Sequence, residues 1–162
     1  MPIERFGDIT IYENLEYNGK DGTHSRKASW HKLRLKNRTF FVLNLHCLWD
    51  GKGKTDSHNR LEQSKKIIEF LKTLDGDIIL GGDFNLDPDT ESIKMLEDFG
   101  LRNLIKEYDI KGTRTSLYPE EKRQKWPYAD YVFVSGGVNV KSFTVDTDSH
   151  VSDHAPMFLE IE

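Results

Sequence analysis

The spacing of apolar residues predicts strands in the first part of the chain. A short alternating stretch around residues 9–11 predicts the first strand. A loop with two glycines is predicted over 18–22. Two further strands are predicted over 29–35 and 39–45, and Lys36-Asn37-Arg38 between them suits a tight hairpin turn. Residues of the second of these strands are continuously apolar, which predicts burial on both faces of the sheet.

The middle and the end of the chain alternate between helical and strand patterns. Apolar residues recur on one helical face from about 57 to 74, and Asp75-Gly76 ends that predicted helix. A short apolar strand follows over 77–80, and a second helix is predicted from residues 89–90, both good caps, to just before Gly100. After a helical or irregular stretch, three more strands are predicted near 129–135, 138–145 and 156–161. This order predicts an α/β or α+β architecture with helices packed against sheets.

Composition narrows the classes of protein that fit. The 162 residues suit one domain, and 36% hydrophobic and 31% charged residues are typical of a soluble globular chain. The net charge of -4 argues against a generally basic nucleic-acid binder. The charge is uneven, however: residues 75–98 hold eight acids and one lysine, and residues 111–125 hold five bases and two acids. An acidic segment beside a basic one suits a site for a cation and a phosphate, and solvated surface charge is the alternative.

Three further features bear on the environment of the protein. Cys47 is the single cysteine, so no intramolecular disulfide can form, and its place after an apolar strand predicts a small buried residue. No apolar run approaches the ~20 residues of a membrane span. The first five residues contain no apolar signal region, so the expected location is cytoplasmic.

The first motif with chemical content is Gly81-Gly82-Asp83-Phe84-Asn85-Leu86-Asp87, where the apolar strand ends. Active sites favour the carboxyl ends of strands in layered sheets. An Asp and an Asn two residues apart in an extended segment point to the same side. Asp83 could orient or deprotonate a water molecule, and Asn85 could donate to charge that develops on phosphoryl oxygens. The alternative is an ordinary Gly/Asp/Asn turn.

Two carboxylates near the C-terminus lie beside predicted strands. In Ser152-Asp153-His154-Ala155-Pro156, a carboxylate next to an imidazole can bind a hard cation and contact a phosphate. A plain polar loop is the alternative. Asp130 begins an otherwise apolar strand, where a carboxylate is costly without a partner such as a histidine. The alternative for Asp130 is a strand-start residue that faces water.

The remaining candidates surround the first predicted helix. His46 ends a buried strand in Asn44-Leu45-His46, where a structural role is the alternative to a catalytic one. Arg60 and Gln63 lie three residues apart on one helical face, so they could act together, although surface positions are the alternative.

Taken in order, Asn-Leu-His, Gly-Asp-Phe-Asn, Ala-Asp-Tyr-Val-Phe-Val and Ser-Asp-His-Ala-Pro resemble the successive C-terminal motifs of the endonuclease/exonuclease/phosphatase superfamily. The resemblance covers residues 2–161. It implies one domain over 1–162 with part of a four-layer α/β sandwich of the deoxyribonuclease I type, in which mixed or antiparallel sheets are flanked by helices. It also implies a Mg²⁺- or Mn²⁺-dependent hydrolase of phosphate esters, which acts by one-step in-line attack of water.

The same resemblance assigns roles to individual residues. Asp83 would orient or activate the attacking water, and Asn85 would donate to a phosphoryl oxygen. His154 would contact the scissile phosphate while Asp130 fixes its tautomer. Asp153, together with Asp83, would bind the divalent cation. His46 matches the histidine of the deoxyribonuclease and sphingomyelinase branches.

The chain departs from the family pattern at its start. Family members normally begin with a half that brings an Asn and a Glu, the principal metal ligand, and neither motif is found here, since Glu4, Glu13 and Glu16 stand in a different context. The resemblance therefore predicts a chain that starts within the domain, with the N-terminal half as an expected partner. A non-catalytic remnant that acts as a binding module is the alternative function. The substrate stays open between nucleic acid, phospholipid and sugar phosphate. Trp126 beside the basic segment could stack on a base, and packing in the core or at its rim is the alternative.

Overall fold

The computed structural model describes residues 3–16 and 23–162, so the loop predicted over 18–22 lies outside the described residues. The strands are β1 (Ile3–Tyr12), β2 (Arg26–Leu35), β3 (Arg38–His46), β4 (Asp77–Asp83), β5 (Leu101–Asn103), β6 (Asp130–Ser135), β7 (Val140–Val145) and β8 (Met157–Ile161). The helices are α1 (His58–Leu71), α2 (Glu91–Asp98), α3 (Leu104–Glu107) and α4 (Glu120–Lys125).

Six strands form one mixed sheet in the order β1-β2-β3-β4-β6-β5, and β7 pairs with β8 in a separate two-stranded sheet. Only β3 and β4 are parallel neighbours within the described sheets. A parallel pair needs a crossover connection, which α1 supplies between β3 and β4. The predicted architecture of mixed sheets flanked by helices is confirmed.

The apolar pattern predicts the β2–β3 hairpin correctly but underestimates the length of β1. Leu35 lies opposite Arg38 in the β2–β3 register, so the predicted tight hairpin is confirmed, and Lys36 takes a left-handed φ of 54° in the turn. β1 extends over 3–12, well beyond the predicted short stretch. It lies at the edge of the sheet with most side chains exposed, so backbone pairing with β2 defines its length and apolar alternation does not.

Both predicted long helices are present, with different ends. α1 stops at Leu71, three residues short of the prediction, because the amides of Thr73 and Leu74 bond three residues back in a tighter turn. Thr90 occupies the N-cap position of α2, but its hydroxyl donates to the carbonyl of Asp87 at 2.8 Å and caps nothing. A distant carboxylate, Asp56, accepts from the first two amides of the helix instead.

The core lies between the central strands and the two longer helices. Leu43, Leu80 and Phe133 on β3, β4 and β6 are at most 2% exposed, and they pack in one cluster with Ile67 and Leu71 of α1. Cys47 is buried at 3% exposure, as its position predicted. Within the described ranges, no helix is long and apolar enough to cross a membrane. β3 and β4 end at His46 and Asp83, and β6 begins at Asp130, so polar residues lie at one edge of the sheet beside this core.

Candidate active site

Three of the sequence-predicted residues form a row across adjacent strands. His46 lies opposite Asp83 in the β3–β4 register, and Asp83 lies opposite Asp130 in the β4–β6 register. Because β6 is antiparallel to β4, the start of β6 meets the ends of β3 and β4 at one edge of the sheet. Residues opposite each other on neighbouring strands project from the same face. Backbone pairing alone thus brings these three side chains together.

His154 reaches this row from the loop before β8. An isolated bridge pairs it with Arg114, and Thr113 accepts the amide of Ala155 at 3.0 Å, which anchors the loop. The imidazole Nδ1 lies 2.8 Å from Asp130 Oδ2, and the opposite nitrogen, Nε2, lies 3.9 Å from Asp83 Oδ2. Asp130 is 7% exposed and is hydrogen-bonded to His154, so the alternative in which its side chain faces water is wrong.

Burial and hydrogen bonding act in opposite directions on the Asp130–His154 pair. Burial raises the pKa of Asp130, while the hydrogen bond to His154 works against that rise. The same hydrogen bond raises the pKa of His154, although desolvation opposes it. An imidazole whose Nδ1 is held by a carboxylate carries its proton there when neutral. The pair therefore leaves Nε2 of His154 as the atom directed toward Asp83.

The segment around Asp83 and Asn85 is a turn and is not extended. Asp83 Oδ1 accepts from the backbone amide of Asn85 at 2.8 Å, and Asn85 takes a left-handed φ of 56°. The expectation that both side chains share one side of a strand is wrong for this reason. Gly82 has a φ of +137°, and a Cβ there would lie 2.0 Å from the Leu45 carbonyl oxygen. The sharp bend into the site therefore requires glycine.

Asn85 forms the floor of the site at 5% exposure. Its Oδ1 accepts from Lys54 Nζ at 2.8 Å, and its Nδ2 donates to the carbonyl of Cys47 at 3.3 Å. Lys54 is 1% exposed, and burial lowers its pKa to about 8 although the charge of Asp83 opposes this. Sequence reasoning missed Lys54, because a lysine in a polar, Gly-rich loop has the pattern of a surface residue.

Two arginines near the site were also missed. Arg26 on β2 is 9% exposed, and its Nε has no hydrogen-bond partner among the described residues. Burial lowers its pKa, and the charge of Asp83 opposes that change. Arg114 donates from Nη1 to Asp153 Oδ2 at 2.8 Å. The basic segment 111–125 indicated positive charge in this region, but no sequence signal singled out Arg114.

Asp153 and His46 flank the central carboxylate differently. Asp153 is held by Arg114, and its Oδ2 lies 4.0 Å from His154 Nε2. The His46 side chain is 58% exposed and places Nε2 3.6 Å from Asp83 Oδ2. Partial desolvation lowers the pKa of His46, and Asp83 opposes that change. The Asp83 carboxylate thus lies between two imidazoles, His46 on the solvent side and His154 on the Asp130 side.

Arg60 and Gln63 support the site from α1. Both are buried, at 1% and 2% exposure, so the surface alternative is wrong. Arg60 Nη1 donates to the carbonyls of Gly53 and Thr55 at 2.8 and 2.5 Å, and Gln63 Oε1 accepts the amide of Leu48 at 3.1 Å. The two side chains therefore act together on the loop that joins β3 to α1.

Asp83, Asp130 and His154 form the group that could hold a metal ion in the described part of the chain. One ligand atom from each lies within 4.8 Å of the others, and Asp153 is outside this group. Carboxylate oxygens are the ligands that hard dications prefer. The charge of Asp83 also contributes to the raised pKa of Asp130, so a cation between them would relieve repulsion. The donor set suits a divalent cation that keeps several water ligands.

The chain belongs to the endonuclease/exonuclease/phosphatase family, whose model matches residues 12–154. No curated protein matches the sequence. Among solved structures, the chain is similar to a family member from Bacteroides thetaiotaomicron, with 26% identity and a TM-score of 0.73 over 99% of this chain. A mannosyl-6-phosphatase from the same species has 25% identity and a TM-score of 0.73, again over 99% of this chain. The chain spans 63% and 67% of the lengths of these two proteins.

More distant structures share the fold. The catalytic domain of human Nocturnin, with a bound sulfate anion, has 17% identity and a TM-score of 0.68 over 98% of this chain and 60% of its own. TDP2 from D. rerio, complexed with a single-stranded DNA product, has 13% identity and a TM-score of 0.65 over 99% of this chain and 68% of its own. The deoxyribonuclease I-like fold expected from the motifs is confirmed by these likenesses.

Proposed function

We propose that this site hydrolyses phosphate esters with the help of a divalent cation, by in-line attack of a water molecule held by Asp83. The observation that carries the proposal is the row His46-Asp83-Asp130, completed by His154 on Asp130. A central carboxylate with imidazoles at 3.6 and 3.9 Å combines an acceptor for a water proton with groups that can face phosphoryl oxygens.

Each side chain has a role that its contacts support. Asp83 orients the water and accepts its proton, and Asn85 donates from Nδ2 to a phosphoryl oxygen. Asp130 holds His154 with Nε2 directed toward the reacting group. A bound Mg²⁺ or Mn²⁺ would act as a Lewis acid on the phosphoryl group. Asp83 would hold the cation together with Asp130. Asp153 would be an alternative second ligand if its ion pair with Arg114 opened.

Buried cations around the site support an anionic substrate. Arg26, Lys54 and Arg114 are each at most 9% exposed, and Asp83 influences the pKa of the first two. Burying several positive charges is costly unless negative charge is close by. The carboxylates offset part of that cost, and a bound phosphate would offset more.

The substrate class is proposed from the related proteins. Sugar phosphates are the first substrates to test, because the chain is 25% identical to a mannosyl-6-phosphatase. The TDP2 complex with a single-stranded DNA product places nucleic-acid esters second, although its likeness extends to the fold alone. Phospholipids complete the panel, because the residues named above recognise the phosphate and not the group attached to it.

The test uses the full chain with Mg²⁺ or Mn²⁺ on a panel of sugar phosphates, single-stranded DNA and phospholipid. Asp83→Asn and His154→Gln are each expected to lower kcat by roughly 10²–10⁴-fold. Asp148→Asn removes an exposed acid elsewhere and serves as the matched control. Equal rates for wild type and Asp83→Asn on every substrate would sink the proposal.

A second candidate function is a phosphate-ester binding module without catalysis. The ion pair between Arg114 and Asp153 favours it, because it occupies a carboxylate that would otherwise be available to a metal. The module predicts no thermal stabilisation by millimolar Mg²⁺. A Mg²⁺-dependent rise in Tm that is absent in Asp83→Asn would count against the module and for the enzyme.

A further inference from the structure

Lys54 lies in an unusual environment for a lysine. It is 1% exposed, and the face of the Trp49 ring covers its ammonium at 5.3 Å from the ring centroid. Its hydrogen-bond acceptor in the described structure is a neutral amide oxygen, Asn85 Oδ1, at 2.8 Å. Asp83 and Asp130 stabilise the charge from a distance and make no hydrogen bond to it. An apolar side chain would fill this volume at a lower desolvation cost, which suggests that the buried charge has a function.

The backbone around Lys54 is fixed on both sides. The carbonyl of Lys54 accepts from the amide of Asp87 at 2.8 Å, which ties this loop to the segment that follows Asn85. The guanidinium of Arg60 binds the carbonyls of the residues before and after Lys54, at 2.8 and 2.5 Å. The buried ammonium therefore has a defined position, and its contact with Asn85 is preorganised.

The chemistry of the two groups fixes how Asn85 is oriented. An ammonium has three donors and no acceptor, so it accepts only the oxygen of a carboxamide as its neighbour. A reversed amide would direct its NH₂ group at Lys54 and leave two donors in contact. The bound orientation makes Nδ2 the available donor, with one N–H directed to the carbonyl of Cys47. A charge-assisted hydrogen bond on Oδ1 also polarises the amide and strengthens its N–H groups as donors.

We infer that Lys54 is a positioning residue for Asn85: it holds the carboxamide with Oδ1 against the ammonium and Nδ2 as the donor for a phosphoryl oxygen. The inference rests on the proposed function, because it gives Asn85 that role toward substrate. Lys54 acts through Asn85 and touches no substrate itself. Its removal should therefore affect the transition state more than substrate binding.

The kinetic test compares Lys54→Met with Lys52→Met. Methionine keeps much of the apolar stem and removes the charge and donors, while Lys52 is an exposed lysine of the same loop and is the matched control. Lys54→Met is expected to lower kcat by roughly 10–100-fold, as loss of a supporting partner typically does, with little change in KM. Lys52→Met should behave as wild type. Unchanged kcat in a folded Lys54→Met protein overturns the inference.

A double-mutant cycle separates positioning from an independent effect of the charge. If Lys54 acts through Asn85, then Lys54→Met/Asn85→Ala should have the kcat of Asn85→Ala alone. Losses that multiply in the double variant contradict the inference. Lys54→Gln, which keeps a neutral donor, should retain more activity than Lys54→Met. Lys54→Leu, which has no donor, serves as the test variant if Lys54→Met fails to fold, and unchanged kcat in Lys54→Leu would then overturn the inference.

A measurement without turnover distinguishes the two proposals. The Asn85 side-chain amide signals in a ¹⁵N correlation spectrum are identified by their loss in Asn85→Ala. They are expected to move in Lys54→Met or Lys54→Gln and to stay in place in Lys52→Met. An inactive wild type with this pattern contradicts the proposed function and supports the orientation of Asn85 by Lys54. Unmoved Asn85 signals overturn the positioning inference, whatever the activity of the wild type.

Discussion

His154 Nδ1 lies 2.8 Å from one carboxylate oxygen of Asp130 and 2.9 Å from the other. The histidine comes from the loop before β8 and the carboxylate from the start of β6, 24 residues earlier in the chain. This contact decides which nitrogen of the imidazole is directed toward Asp83. It therefore also determines how His154 responds to a change at Asp130.

Replacing Asp130 with Asn should disable the site without removing its histidine. The hydrogen bond that His154 donates to Asp130 is the largest cause of the raised pKa of His154, so Asp130→Asn should lower that pKa. The NH₂ group of asparagine can also donate to an unprotonated Nδ1, which permits the opposite tautomer, and we expect kcat to fall by roughly 10²–10⁴-fold. NMR titration of the His154 ring in metal-free protein measures the first effect and steady-state kinetics the second. A His154 pKa that is unchanged in Asp130→Asn contradicts this account.

The raised pKa of His154 also predicts how stability depends on pH. Folding favours the protonated ring, so its contribution is fully present below the unfolded-state pKa of about 6.5. The contribution is lost as the pH rises through the higher folded-state pKa. Urea unfolding of metal-free wild type and His154→Gln should therefore show a larger difference at about pH 6 than at about pH 9. A difference that grows with pH would have the wrong sign for a raised pKa.

Gly82→Ala should destabilise the fold at the entrance to the site. The φ of +137° is unfavourable for alanine, and the added Cβ would lie 2.0 Å from the carbonyl oxygen of Leu45. We expect a loss of at least about 2 kcal/mol in the free energy of unfolding. Gly136→Ala is the matched control, since its Cβ would meet no atom within 4 Å. Chemical denaturation of both variants checks the difference, and equal stabilities would refute it.

Thr113→Val should weaken both the fold and the site. The buried Thr113 hydroxyl accepts from the amides of Ala129 and Asp130 at 3.0 and 3.1 Å, and valine leaves both donors unsatisfied. The expected cost is roughly 2–4 kcal/mol in the free energy of unfolding, with lower activity because Asp130 loses its anchor. Thr113→Ser keeps the hydroxyl and should restore most of both. Thr144→Val on the exposed side of β7 is the neutral control.

Elements with a long apolar pattern were predictable, and short or exposed ones were not. β3, β4 and α1 were found close to their true positions because each buries a continuous strip of side chains in the core. β1 is mostly exposed, and its length follows from pairing with β2, which no local pattern shows. The cap of α2 comes from Asp56, 35 residues before the first amide that it accepts, so local capping rules pointed to the wrong side chain.

The candidate site divides in the same way. His46, Asp83, Asp130 and His154 were candidates from the sequence because each stands beside an apolar strand, in motifs whose order resembles that of the family, and the structure brings the four together. Lys54 and Arg26 were not identifiable, because burial of a cation depends on elements that approach from distant parts of the chain. Asn85 shows a mixed result: its membership of the site was predicted, but the turn that positions it was not.

The sequence by itself determined the family, the layered α/β class and the residue types that meet at the end of the central strands. The class depends on local periodicity, and the family depends on short motifs whose residues and order resemble those of its members. The tertiary structure decided which nitrogen of His154 faces Asp83, that Asp153 is paired with Arg114, and that Lys54 contacts Asn85. The partners in the Arg114–Asp153 and Lys54–Asn85 hydrogen bonds are 39 and 31 positions apart, and His154 is 24 positions from the Asp130 carboxylate that orients it. Only the packed fold brings these side chains within hydrogen-bonding distance.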